Sequence, residues 1–369
     1  MMEEKSTKIL CIRIGSVHVI AVSDPKIALE FLKDTHGIFS SRPDSMSAYL
    51  TSGGYLNTAL APMGDHWKKI KKILSSEILS MAKHKWLLNK RNEEYDNILR
   101  YINNQCETNH GVTSGLVNVR TMVQQYSGNM ARKVIFGSRY FGKGREDGGP
   151  GDEEIEHVDS LLTILDSNHA FCVTDYFQWL RWITDFDGHE KIIRNAILAA
   201  RMYQDPLIDD RIQQWKDGVR RKQDDLLDVA PFNVTHMTTA DSIVAGYFIP
   251  KGSHVIVSRP GLGRNPVVWD DPLTFNPDRH MNGDKEVGLT NNHLHMFTFS
   301  TGRRGCPGVM LGSTITIMLL ARLVQGFTWE LPPNKPQIDV EENLHGLAKA
   351  KPLFALAKPR LHPSLYTTS

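Results

Sequence analysis

Cys306 sits in the one stretch of this chain whose residue types and spacing set up a reactive centre. The stretch reads Phe299-Ser300-Thr301-Gly302-Arg303-Arg304-Gly305-Cys306-Pro307-Gly308, and an apolar run follows it. A cysteine does chemistry as the thiolate. That state needs backbone N–H donors or positive charge close to the sulfur. Gly302 and Gly305 let the chain turn tightly around the thiol. Three readings follow from the pattern: a metal–thiolate ligand, a nucleophile at a helix start, or an ordinary buried cysteine. A phosphatase-type loop puts arginine six residues after its cysteine, and Gly312 stands there.

The elements that must hold this loop are mostly helical. The apolar run after Cys306 predicts a helix from near Pro307 to near Gly326, and its centre, Ile315 to Leu323, reads as buried. His66 to about Gly218 carries apolar residues at three- and four-residue spacing, for example Trp86, Leu87, Ile98, Leu99 and Ile102. Ile9 to Val22 is β-rich around Gly15-Ser16 and predicts a hairpin. Ser23-Asp24-Pro25 then predicts a helix start. Tyr247 to Gly252 reads as strand, turn, strand. Gly142 to Gly151 matches neither phosphate-loop pattern and reads as a solvated loop. The fold class expected is mainly α with minor β.

Composition bounds the function. The chain has 369 residues, 41% hydrophobic and 23% charged, which excludes wholesale disorder. At ~150 residues per domain it makes roughly two domains or one large one. The net charge is +2, so there is no electrostatic case for nucleic acid as the main partner. Cys11, Cys106, Cys172 and Cys306 form no C-x-x-C pair, which argues against a zinc ribbon and for a reducing compartment. The first residues, Met1 to Lys5, are charged, and no signal peptide or membrane anchor is expected in them.

Phe299 to Gly308 fits F-x-x-G-x-R-x-C-x-G at every fixed position and resembles the haem-binding loop of the cytochrome P-450 family. The resemblance makes Cys306 the proximal iron ligand, pushing electron density toward the iron. Arg304 then reaches a haem propionate, Phe299 packs beside the sulfur, and Gly308 lets the following helix approach the macrocycle. Trp67-x-x-x-Lys71 resembles the family's W-x-x-x-R propionate motif, with lysine for arginine. Trp67 reads equally as a core aromatic, and Lys68 to Lys72 as a solvated basic face. His236 stands where the family often has a propionate-binding Arg or His; a surface-loop histidine is the other reading. Asp271 to His280 resembles the P-E-R-F region. Tyr126 to Gly137, Asp187 to Lys191, Ser258 to Pro266 and Ser300 to Leu311 resemble plant amino-acid N-monooxygenases, which make aldoximes.

From that resemblance follow haem b as cofactor, and electrons from NADPH passed on by cytochrome P-450 reductase. Dioxygen and an L-amino acid would be the substrates, and the cytosolic face of the endoplasmic reticulum membrane the location. The resemblance also exposes two gaps. No E-x-x-R occurs in the chain, and no distal helix with an acid or amide beside an alcohol. Val229 runs directly into Ala230 where family members carry several helices. The expected architecture is therefore a cytochrome P-450 domain over 1–369 with an internal deletion. Its helical part is 1–229 and its haem-binding part 230–369. Arg279, deprived of its Glu–Arg partners, is expected to be a buried uncompensated charge costing ~3–5 kcal/mol. A carbon-hydroxylating enzyme and a non-catalytic haem-binding remnant are the alternatives.

Overall fold

The computed structural model describes residues 7–108, 114–137, 139, 141, 144–183, 185, 187–217, 235–280, 299–333, 335–339, 341 and 349–366. The expected junction at 229/230 lies outside them. Helices dominate, with short strands between them. The chain divides into two compact units. One comprises Met1–Ser76, Phe171–Glu190 and Val229–Met310; the other comprises Glu77–Ala170, Lys191–Asp228 and Leu311–Ser369.

The first unit is built on a four-stranded sheet. Ile9–Ile14 and Val17–Val22 form the expected hairpin around Gly15. Val17–Val22 pairs in parallel with His254–Val257, Val19 opposite His254, and His236–Met237 closes the far edge antiparallel to His254–Val257. Val22 and Val255 bury against Phe31, Phe39, Val244 and Ile249. Phe31 and Phe39 meet edge to face, ring centroids 4.8 Å apart, a geometry suited to the ring quadrupole. Asp24 caps the helix Pro25–Leu29 as its sequence predicts, accepting from the N–H groups of Lys26 and Ile27. That helix then widens into a π turn at Glu30–Asp34. Ser242–Val244 and Tyr247–Ile249 make a separate two-stranded hairpin.

The second unit packs helices on a three-stranded sheet, ordered Leu116–Asn118, Phe354–Pro359, Phe327–Glu330. The helix Leu88–Thr108 buries Tyr95, Ile98, Leu99 and Ile102, a three- and four-residue spacing that puts all four on one face. Met122, Tyr126 and Met130 of Val119–Ile135 face the same core, as do Leu319 and Leu323 of Val309–Gly326. Each such side chain contributes roughly 1.5–3 kcal/mol on burial.

The apolar helix Val309–Gly326 departs from expectation. Only 17% of it is buried. Met310, Ile317, Leu320 and Val324 are exposed, three of them by more than half. Ile317, Leu320 and Val324 recur at three- and four-residue spacing and so form one stripe. A helix apolar on every side is one that packs on every side when fully covered; the described residues cover only the Leu319–Leu323 face. Among those residues it is the one helix long and apolar enough to cross a membrane.

Candidate active site

The cysteine loop is shaped by backbone close to its own ends. Gly302 takes φ +74°, and a Cβ there would overlap the carbonyl oxygen of Leu32. No other residue fits that approach at that φ. A 3-10 turn over Gly302–Arg304 follows, Gly305 N donating to Gly302 O at 3.1 Å. Cys306 N donates to Phe299 O at 2.9 Å, which closes the loop. The cysteine itself is half-buried. Gly308 lies close behind the sulfur: a Cβ on it would sit 3.8 Å from Sγ. Ser300 adopts φ +58°, and its buried hydroxyl finds no hydrogen-bond partner among the described residues. A non-glycine residue held there stores strain of ~1–3 kcal/mol.

Beside the loop lies a cluster of cations. Arg304 is buried, and Nε donates to Ser40 O at 2.7 Å, Nη1 to Thr58 O at 3.2 Å and Nη2 to Ala61 O at 2.6 Å. Its guanidinium carbon stands 4.4 Å from the Trp67 ring centroid. Trp67 is buried, and Nε1 donates to the same Thr58 carbonyl at 3.0 Å. Four residues on along the helix Asp65–Ile73, Lys71 shares the Trp67 face: Nζ is 4.9 Å from that ring and donates to Arg303 O. His236 is buried rather than on a surface loop. The sheet holds it on the edge strand, with Nδ1 bonded to Phe39 O at 2.8 Å.

Arg42, which the sequence reading passed over, completes the cluster. It is 3% exposed and donates to Ala59 O at 2.8 Å and Thr235 O at 3.2 Å. Its local signal was Pro43, which pushes the preceding residue into extended backbone. Ser41 accordingly bridges Met237 beside His236. Burial, and then the Arg304 charge, pulls Arg42 well below its ordinary pKa. Burial does the same to Arg304, down to about 10. His236 is pushed down to about 3, by burial first and then by Arg42, against a small opposing effect of its bond to Phe39. Lys71 is lowered by burial and by Arg304.

The charges acting on His236 and Lys71 are thus of one sign. A buried surplus of guanidinium groups beside a half-buried thiol is a donor set for a flat iron-bearing cofactor with carboxylate arms. Three of the five N–H donors of Arg304 are used by backbone, which leaves two for such an arm. The residues fit haem on the proximal side. Among the described residues no group of three or more His, Cys, Asp or Glu could hold a metal ion.

Arg279 corrects the expectation of a buried lone charge. It lies near the surface, where Nε donates to Asn276 O and the guanidinium nitrogens to the carbonyls of Asp270, Asp271 and Thr274. The guanidinium carbon is 5.9 Å from the Trp269 ring centroid. Water and its own loop solvate the charge, and the cost of burial does not arise.

The sequence profile of the cytochrome P450 family matches residues 1–229 and 226–357. The chain is 43% identical to a tryptophan N-monooxygenase of Prunus mume, over 99% of this chain and 86% of the relative. It is 40% identical to a phenylalanine N-monooxygenase of Arabidopsis thaliana, over 100% and 87%, and 38% identical to a tyrosine N-monooxygenase of Sorghum bicolor, over 99% and 82%. The alignment with the first runs over 460 positions against 369 residues here, so that relative carries residues inside the matched span that this chain lacks.

Proposed function

The chain belongs to the cytochrome P450 family, and from that premise we propose that it is a haem-thiolate monooxygenase that N-hydroxylates an L-amino acid and yields the aldoxime. The observation that carries this is the combination of the Cys306 loop with near-complete coverage by relatives named for that reaction. Haem b, when bound, supplies the iron at which dioxygen is activated.

The chain's own residues would do the following. Cys306 presents its thiolate from a loop whose backbone is closed by the Phe299 carbonyl. Phe299, Gly302 and Gly308 shape the space around the sulfur. Arg304, Lys71 and Arg42 would donate to the propionates, while Trp67, whose N–H goes to Thr58 O, and His236, whose Nδ1–H goes to Phe39 O, would hold those donors in place; burial of the guanidinium groups excludes water that would compete for the carboxylates. Lys68, Lys69, Lys72 and Arg303 are exposed beside the loop, a basic face for an acidic flavoprotein reductase that passes on electrons from NADPH. By family the protein works at the cytosolic face of the endoplasmic reticulum.

One observation favours a second reading for the 369-residue form, a haem-binding remnant with little turnover. The distal acid–alcohol helix and E-x-x-R are absent from the sequence, and proton delivery to the oxygen needs a positioned donor. The test is a ferrous carbon-monoxide spectrum of the haem-loaded chain beside Cys306→Ser. A thiolate-type Soret band that survives the substitution sinks the assignment. Aldoxime from a chain with the helices restored, given reductase, NADPH and each protein amino acid in turn, separates N- from carbon hydroxylation.

A further inference from the structure

We propose that Glu30 is a positioning residue for the Cys306 loop, acting through the widened helical turn that it begins. Its consequence for iron ligation rests on the reading of Cys306 above; the placement rests on geometry alone. Both carboxylate oxygens of Glu30 accept from Ala245 N, at 3.0 and 3.1 Å. Ala245 is the first residue of the two-residue turn between Ser242–Val244 and Tyr247–Ile249, and it sits at φ +50°, where alanine is strained. A charge-assisted bond from its N–H offsets that strain and fastens Glu30 to the hairpin.

The backbone of Glu30 is held as firmly. Its carbonyl accepts from Thr35 N at 2.9 Å and from Thr35 Oγ1 at 2.7 Å, five residues on. That spacing closes a π turn, with one residue more than an α turn holds. The extra residue pushes the crown of the turn outward. Leu32 and Lys33 form that crown, and they meet Gly302: a Cβ on Gly302 would overlap Leu32 O and lie 3.8 Å from Lys33 Cα. Gly302 opens the 3-10 turn that leads through Arg304 to Cys306. The π turn is therefore the stop against which the cysteine loop rests, and Glu30 holds it at that height. An α turn over the same residues would withdraw the Leu32 carbonyl and let the loop settle.

The reactivity of Cys306 reads this without haem. The haem-free chain, Glu30→Ala and Glu30→Gln are treated with iodoacetamide, and the alkylation rate of each cysteine is followed by peptide mass. Glutamine keeps a carbonyl acceptor for Ala245 N; alanine keeps none. Glu30→Ala is expected to raise the Cys306 rate roughly tenfold, the opening factor for losing one charge-assisted bond. Glu30→Gln is expected to stay within about twofold of the parent. Exposed Cys11 and buried Cys172 are internal standards that should not move. An unchanged Cys306 in Glu30→Ala overturns the proposal. So does a rise that Cys172 shares, which marks general loosening, or one that Glu30→Gln does not reverse. On the haem-loaded chain the thiolate-type fraction of the carbon-monoxide spectrum is expected to fall in Glu30→Ala and to hold in Glu30→Gln. A parent with no such band counts against the haem-thiolate reading and leaves the alkylation order to decide the positioning.

Discussion

Arg304 and Trp67 donate to one carbonyl oxygen, that of Thr58, at 3.2 and 3.0 Å, while the guanidinium lies over the indole at 4.4 Å. The pair locks the helix Asp65–Ile73 to the cysteine loop inside one unit. Cation–π contact of this kind contributes ~0.5–2 kcal/mol, more when water is excluded.

Arg304→Lys is expected to lower haem affinity by about tenfold or more and stability by ~1–3 kcal/mol, because an ammonium cannot reach Ser40, Thr58 and Ala61 together. Haem titration and urea unfolding on the same preparation check both numbers. Equal affinity in the lysine variant would show that charge alone suffices.

Gly302→Ala combines a forbidden φ of +74° with a collision against Leu32 O. The expected loss is ~2 kcal/mol or more, with the thiolate-type spectrum lost before the far-ultraviolet circular dichroism changes. Gly188→Ala is the control: it too has positive φ, +72°, but its Cβ meets nothing within 4 Å, so the cysteine spectrum should hold.

Stability should fall as the solution is acidified from about pH 6.5. His236 is neutral in the folded chain, with its pKa pushed down to about 3, and free to protonate at its ordinary value when unfolded. Between those values the unfolded state binds the extra proton, so stability is present above the ordinary histidine pKa and drains as pH falls toward the folded one. By pH 4 the loss from this group is about 3 kcal/mol. His157, lowered to about 4 by burial and then by Arg132, pulls the same way. Urea midpoints of the parent and His236→Asn across pH 4–7 measure it; parallel curves would show that His236 takes no part.

The two faces of Val309–Gly326 should respond oppositely. Leu319→Ala or Leu323→Ala empties part of the second core and should cost ~2–5 kcal/mol. Ile317→Glu or Leu320→Glu, on the exposed stripe, should leave the unfolding midpoint near that of the parent and reduce aggregation. Light scattering and urea unfolding together separate the two.

Coupled product formation by the 369-residue form should be small. NADPH consumption, peroxide and aldoxime measured together are expected to show electrons leaking to peroxide. Aldoxime at the rate of a chain with the distal helices restored would falsify the requirement for them.

The tight turn around Cys306 was legible in the sequence because it is local. A thiolate loop needs a tight turn and an approach to a flat partner, and ten consecutive residues carry those demands. The hairpin Ile9–Val22 and the Asp24 cap were legible for the same reason, since alternation and capping act over a few residues. The tertiary structure decided what distance in sequence hides. Ser40, Thr58 and Ala61 lend Arg304 their carbonyls from some 240 to 260 residues away. Arg42 enters the cluster because the sheet edge bearing His236 draws Ser41 onto it. Arg279 shows the converse. Its partners were expected from far away, and the chain satisfied it within nine residues, because a guanidinium that stays near water needs only the nearest carbonyls. Whether an apolar helix is covered is likewise set by what packs on it: Val309–Gly326 has the composition of a buried helix, and among the described residues nothing covers its Ile317–Leu320–Val324 stripe.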